Sequence, residues 1–222
     1  GAPLLLIPFI LKSMPESLPY LIAHHDDRHL REIVQRIEPS LKLSAEDQFV
    51  VPPSAKGAGV PIARLFQEGR GLSTLMFWIA FFTGLFMIYA LSSWLTKLMA
   101  MSGYSLGSAL SFVIALNLGA MFGAIFGGWL ADKFHIKWVL VTMYALGGLF
   151  LYLMTVPMST DMLYLVIGAV GACSTGAQIV AYAYSGQFYP MAIRSTGIGM
   201  ASGVGRAGAI MAPLLIGLIV TL

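Results

Sequence analysis

The chain has 222 residues, of which 58% are hydrophobic and only 10% charged, with a mean hydropathy of +0.81. Soluble domains carry about 25% charged residues, so this composition excludes an ordinary soluble fold and calls for an all-α integral membrane protein with several spans. The net charge of +3 says little by itself, the basic residues are dispersed and not clustered as a nucleic-acid partner would need, and the single cysteine, Cys173, excludes an internal disulfide.

Residues 1–11 carry an apolar run from Pro3 to Leu11. It covers less than half a bilayer and is expected to be the exit end of a helix that starts upstream. The opening Gly1-Ala2-Pro3, without a start methionine or a basic leader, reads as a piece of something longer. Residues 12–71 then turn polar and hold most of the charges. Within them Leu30, Ile33, Val34 and Ile37 recur at i, i+3, i+4 and i+7. That spacing predicts a one-faced helix after the capping candidates Asp26 and Asp27, closed by Pro39. Residues 39–60 are loop-like, and Pro61 can start a short helix through Glu68, stopped by Gly69 and Gly71. His24, His25, Asp26 and His29 invite a metal reading, but nothing there completes a ligand set, so solvated histidines and no metal are expected.

Five apolar runs long enough to cross a bilayer follow, at about 72–96, 106–130, 137–157, 162–187 and 195–221. Their links are short, and lysine and arginine orient them. Lys12, Arg64, Arg70, Lys133, Lys137 and Arg194 lie near span ends on one side, with only Lys97 on the other. The first side therefore faces the cytoplasm.

Within the five interiors one residue is charged: Arg206. Twelve residues of helix put it about 18 Å beyond Arg194, near the middle of a ~30 Å hydrocarbon layer. A guanidinium at that depth costs about 2.5–3.5 kcal/mol on insertion scales, and arginine cannot shed its proton to escape the cost. Two readings stand. Arg206 is either a structural charge pinned by carbonyls and an acid, or a cation in a translocation pathway that an anionic ligand neutralises. Small residues surround it at helical spacing, in one stripe of Ser195, Gly199, Gly203 and Ala207 and another of Ala201, Gly205, Ala209, Pro213 and Gly217. Such stripes let neighbouring helices approach closely.

Arginine can hold a planar carboxylate through two parallel N–H bonds, while the rest of such a ligand wants aromatic walls and a few placed polar groups. Trp78, Phe82, Tyr89 and Ser93 fall on one face of the first span, and Ser174, Gln178, Tyr182 and Ser185 on one face of the fourth. Asn117 is the sole amide of the second. Arg206, Tyr89, Asn117, Gln178 and Tyr182 are therefore the candidate substrate contacts. Packing stripes are the competing reading for the aromatics, and an interhelical hydrogen bond for Asn117. Gly119, Gly123 and Gly127 read as close-packing residues. No nucleophile–base set or phosphate loop is present, so neither an enzyme nor a cofactor is expected.

Several motifs then carry a resemblance. Pro15-Glu16-Ser17 follows the opening apolar run, and Gly128-Trp129-Leu130-Ala131-Asp132-Lys133-Phe134 is similar to the Gly-x-x-x-Asp-Arg/Lys loop of the major facilitator superfamily. His135 stands where glycine is usual, and Lys137 is the only basic residue left of the closing pair. Phe81-Phe82 through Tyr89 to Ser93-Trp94-Leu95 is one of three features that look like the aromatic acid:proton symporters. The others are Gly103-Tyr104-Ser105 leading to Asn117-Leu118-Gly119, and Tyr189-Pro190 through Arg194-Ser195-Thr196-Gly197 to Gly205-Arg206. Thr96 replaces an expected proline after Trp94-Leu95.

The resemblance implies the carboxy-terminal helical bundle of such a transporter: residues 1–11 as the end of the sixth transmembrane helix, 12–71 as the cytoplasmic central loop, and 72–222 as helices seven to eleven. It implies a multi-pass protein of the bacterial inner membrane that imports an aromatic or related carboxylate with protons, among membrane lipid and together with a missing amino-terminal half. Acidic residues of that half would carry the protons. Asp132, after one helix end, and Arg194, before a helix start, are implied to gate the cytoplasmic side by charge pairs and helix-dipole contacts. A sugar or other organic-solute porter of the same superfamily is the alternative, and a membrane enzyme or a non-transporting sensor the reading from another class.

Overall fold

The computed structural model describes Leu21, residues 27–38 and residues 62–221, in two compact units, Gly1–Gly57 and Ala58–Leu222. The expectations for residues 1–11, for Pro15-Glu16-Ser17, for His24, His25 and Asp26, and for the loop at 39–60 concern residues outside the described ones. In the first unit, helix α1 spans Asp27–Ile37, so Asp27 opens the helix instead of preceding it. Its apolar face is anchored by Leu30, which is fully buried, and fades to Ile37, which is exposed.

The second unit is built from five helices, each long and apolar enough to cross a membrane: α2 (Gly71–Met101), α3 (Leu106–Lys133), α4 (Ile136–Leu153), α5 (Thr160–Phe188) and α6 (Arg194–Thr221). It is a multi-pass, all-helical membrane bundle. The short helix expected before α2 shrinks to one 3-10 turn, Ala63–Phe66. The chain then reverses through Glu68 and Gly69, both with positive φ, the region that a glycine enters without penalty.

The helices run past the apolar stretches where a charge can be accommodated. α2 extends five residues beyond Thr96, and Lys97 lays its ammonium over the Trp94 ring at 4.7 Å. α3 runs through Asp132 and Lys133, with the Lys133 ammonium 4.9 Å from the Trp129 ring. Each ammonium lies over an aromatic ring, an attraction that a lysine near a helix end can use while its head reaches toward water. α4 stops earlier than expected, at Leu153. Pro157 cannot continue a helix and restricts the residue before it, so the chain turns, and Ser159 then caps α5 by accepting from the Met162 N–H.

α5 is the centre of the bundle: 61% of its spanning window is buried, against 22% or less for the others. Backbone proximity to α3 explains this. A Cβ added at Gly119 would lie 1.8 Å from the Gly168 carbonyl oxygen, and one at Gly123 2.0 Å from that of Ala172. One added at Gly171 would meet the Leu116 carbonyl at 2.1 Å. Gly127 meets the flexible Met143 side chain instead, at 3.0 Å. α6 lies along α2 in the same way: a Cβ added at Gly208 would lie 2.4 Å from the Phe82 carbonyl oxygen, and one at Gly205 3.0 Å from that of Phe81 and 2.8 Å from the Leu85 side chain. The stripe containing Gly205 is thus the packed one. Gly199 and Gly203 of the other stripe face open space among the described residues.

Two apolar cores result, one toward the Lys/Arg-rich end around Leu65, Phe77, Phe81 and Tyr189, and one toward the opposite end around Leu95, Phe112 and Ile167. At the basic end Tyr189 is fully buried and its hydroxyl donates to Thr74 Oγ1 (3.1 Å), which donates to the Leu65 carbonyl (2.8 Å). Burial pushes the Tyr189 hydroxyl above the ordinary tyrosine range, opposed by the Thr74 bond and the Arg70 charge, so it stays neutral and keeps donating. Gly197 admits the Tyr189 ring, since an added Cβ would lie 2.4 Å from it. That knot ties the beginnings of α2 and α6 to the end of α5. At the other end Trp94 Nε1 donates to the Pro213 carbonyl at 3.2 Å, again joining α2 to α6.

Candidate functional site

Arg206 lines a cavity of about 280 Å³ between α2, α5 and α6, with Leu85, Tyr89, Tyr182, Ser202, Ala209 and Ile210 completing the wall. It is exposed, and among the described residues it makes no hydrogen bond or ion pair. The reading as a pinned structural charge therefore finds no partner here. A permanent cation at bilayer depth needs water, an anion or a group from outside the described residues to compensate it.

Four further polar groups belong to residues of this wall. Tyr89 is 46% exposed and makes no hydrogen bond within the described residues. The Tyr182 hydroxyl shares a hydrogen bond with Ser202 Oγ at 3.1 Å, and its ring stands edge-on to Phe81 with centroids 4.6 Å apart. Pro213 has no N–H, so the Ala209 carbonyl lacks its usual helical donor four residues on. Ser202 escaped the sequence reading. Its signal was there, one turn before Arg206 on the same helix face.

Two expected contacts are elsewhere. Gln178 is 5% exposed and faces Gly84, where an added Cβ would lie 2.3 Å from its Oε1; the Tyr144 hydroxyl is beside it and donates to the Ala80 carbonyl. Neither amide atom of Gln178 has a hydrogen-bond partner among the described residues. The polar stripe of α5 divides because α2 crosses it. Tyr182 reaches past Phe81 to α6, while Gln178, one turn away, stops at the α2 backbone. Ser174 and Ser185 turn back on their own helix, to the Gly171 and Tyr182 carbonyls.

Asn117 likewise misses the Arg206 cavity. Its Nδ2 donates to the Val113 carbonyl of its own helix (2.8 Å), and it lines a separate space of about 60 Å³ with Ser92, Ser174 and Thr175. Of the aromatic stripe on α2, only Tyr89 reaches the cavity: Trp78 packs on Phe66 and Phe82 on Phe86.

Asp132 and Arg194 both lie inside helices, not beside them. Asp132 is exposed in the last turn of α3, and Arg194 opens α6 with its Nε donating to the Tyr189 carbonyl at 3.3 Å. No ion pair joins the two among the described residues. Each sits at the pole of its helix that disfavours its charge, an acid at a C-terminus and a cation at an N-terminus, at about 0.3–1 kcal/mol apiece.

Residues 113–222 match the sequence profile described as Major Facilitator Superfamily. Together with the five-span bundle and its interior cation, this makes the chain a member of the major facilitator superfamily, a transporter class and not an enzyme class. Within it, relatives matched along most of the chain include three named for aromatic acids. The benzoate transport protein of Acinetobacter baylyi is 42% identical over 100% of the chain and 48% of the relative. The 4-hydroxybenzoate transporter of the same organism is 33% identical over 94% and 47%. The gentisate transporter of Corynebacterium glutamicum is 38% identical over 84% and 42%. The chain spans about half the length of these curated relatives. No solved structure matches it significantly.

Proposed function

We propose that the chain is part of a proton-coupled symporter that imports an aromatic or related carboxylate across the bacterial inner membrane. The observation that carries this reading is Arg206, without a partner among the described residues, on the wall of a cavity at mid-bilayer depth. A neutral sugar would leave that cation uncompensated; a carboxylate neutralises it and takes two of its N–H bonds. Tyr89 and Tyr182 supply aromatic and hydroxyl surface for the ring. The names of the relatives, for benzoate, 4-hydroxybenzoate and gentisate, support the same ligand chemistry. On this reading residues 1–11 end the sixth helix, 12–71 form the cytoplasmic loop, and 72–222 hold helices seven to eleven. The proton-carrying acids belong to the amino-terminal half, because the acids of α2–α6 are Asp132 and Asp161, both near helix ends.

The full-length transporter in proteoliposomes tests this. Labelled benzoate accumulates under an inside-alkaline gradient, a protonophore stops accumulation, and excess unlabelled aromatic acids compete while sugars do not. Displacement by sugars with aromatic acids inert would favour the alternative porter.

Asp132 and Arg194 act as gate charges. Each is electrostatically disfavoured where it stands, so a state that supplies an opposite charge is stabilised by relieving it. Asp132→Asn is expected to slow turnover several-fold with KM within about twofold, since the residue is far from the cavity. An altered KM with unchanged turnover would remove Asp132 from the gate.

A further inference from the structure

The Arg206 cavity has two chemically different ends. Four residues of α6 separate Ser202 from Arg206, about 6 Å along the axis and on one face. At the Arg206 end is a charge, and at the other a neutral pair, Tyr182 Oη and Ser202 Oγ at 3.1 Å. Leu85 and Ile210 supply apolar wall. A volume of about 280 Å³ suits one aromatic ring with its carboxyl group. With the carboxylate on the guanidinium, the ring crosses that one turn and its far edge meets the hydroxyl pair.

We propose that the Tyr182–Ser202 hydroxyl pair determines ring-substituent specificity, closing on itself so that the site accepts an aromatic carboxylate whether or not its ring bears a hydroxyl. This rests on the aromatic-carboxylate reading and goes further, to how the ring is read. A site that uses lone hydroxyls to bind a ring hydroxyl rejects the ring without one, because its own polar groups are then buried unpaired. Here Tyr182 and Ser202 satisfy each other, so a bare ring orphans nothing. A hydroxylated ring inserts between them, exchanging one hydrogen bond for two. The edge-on contact with Phe81 holds the Tyr182 ring where both outcomes are available.

The two partners are not equivalent. Without Tyr182 the Ser202 hydroxyl can bond back to a carbonyl of its own helix. Without Ser202 the Tyr182 hydroxyl is left facing the bound ring with no partner among the described residues, and a ring hydroxyl supplies one directly.

The test uses the full-length transporter in proteoliposomes, with labelled benzoate and the three monohydroxybenzoates as probes. Ser202→Ala is expected to raise the KM for benzoate relative to at least one hydroxybenzoate by about fivefold or more, with turnover little changed. Tyr182→Phe is expected to leave that ratio within about twofold, and Ser202→Thr, which keeps a hydroxyl, to retain the original one. A ratio unchanged in Ser202→Ala for all three isomers, or an equal loss of turnover for every acid, overturns the proposal while leaving the aromatic-carboxylate reading intact. Failure of the unmodified protein to move any of the four acids sinks both.

Discussion

Replacing Arg206 with alanine is expected to abolish uptake of aromatic acids and leave the bundle as stable as before, or more so. The two halves of that expectation separate function from structure. Truncating one partner of a desolvated, hydrogen-bonded charge pair costs about 2–5 kcal/mol, which is roughly 30-fold or more in affinity. A structural arginine would show the opposite pattern, because its partner acid or carbonyls would be left buried and unpaired. Among the described residues Arg206 has no such partner, so its removal relieves an insertion cost and orphans no group among them. Arg206→Lys keeps the charge but loses the planar fork, and is expected to retain weak uptake with a raised KM. Uptake assays, together with thermal unfolding of the full-length protein in detergent, check both halves. Uptake retained in the alanine variant would remove Arg206 from the pathway.

The second large effect is expected at Gly123, on the seam between α3 and α5. Its missing Cβ is the reason the helices touch backbone to backbone: a methyl there would lie 2.0 Å from the Ala172 carbonyl oxygen and 2.4 Å from its Cα. Backbone cannot rotate away as a side chain can. The helices must separate or shift along the whole seam, which also includes Gly119, Gly171 and Gly176. Gly123→Ala is expected to cost about 1–3 kcal/mol, and Gly123→Val more, by overpacking and by loss of dispersion contacts that lipid does not restore. Gly148, on α4, has nothing within 4 Å of the same virtual methyl, so Gly148→Ala is expected to be neutral. Thermal unfolding in detergent compares the two. Equal melting temperatures for both alanine variants would show that the seam yields more easily than its geometry implies.

The aromatic stripes show why linear spacing cannot build a site. Ser174, Gln178 and Tyr182 share a face of α5, and a helical projection treats them alike. In the bundle that face is crossed by α2, so Tyr182 joins Arg206, Gln178 is sealed against Gly84, and Ser174 opens onto a different cavity with Asn117. Helix ends show a milder version. Asp132 was expected beyond a helix and lies within its last turn, because Lys133 can stay at the boundary over Trp129 and let the helix continue.

What the amino-acid order determined alone was the set of spans and the position of one permanent charge among them. Both are one-dimensional facts: a bilayer demands about 20 apolar residues per crossing, and an arginine that far from either end cannot reach water along its own helix. What only the tertiary structure decided was which side chains share a cavity with that charge. That choice depends on the rotation of each helix about its axis, and the rotations follow from where glycine and alanine let backbones meet. Tyr89, Tyr182, Ser202 and Arg206 come from three helices, and no spacing within any one of them reports the others.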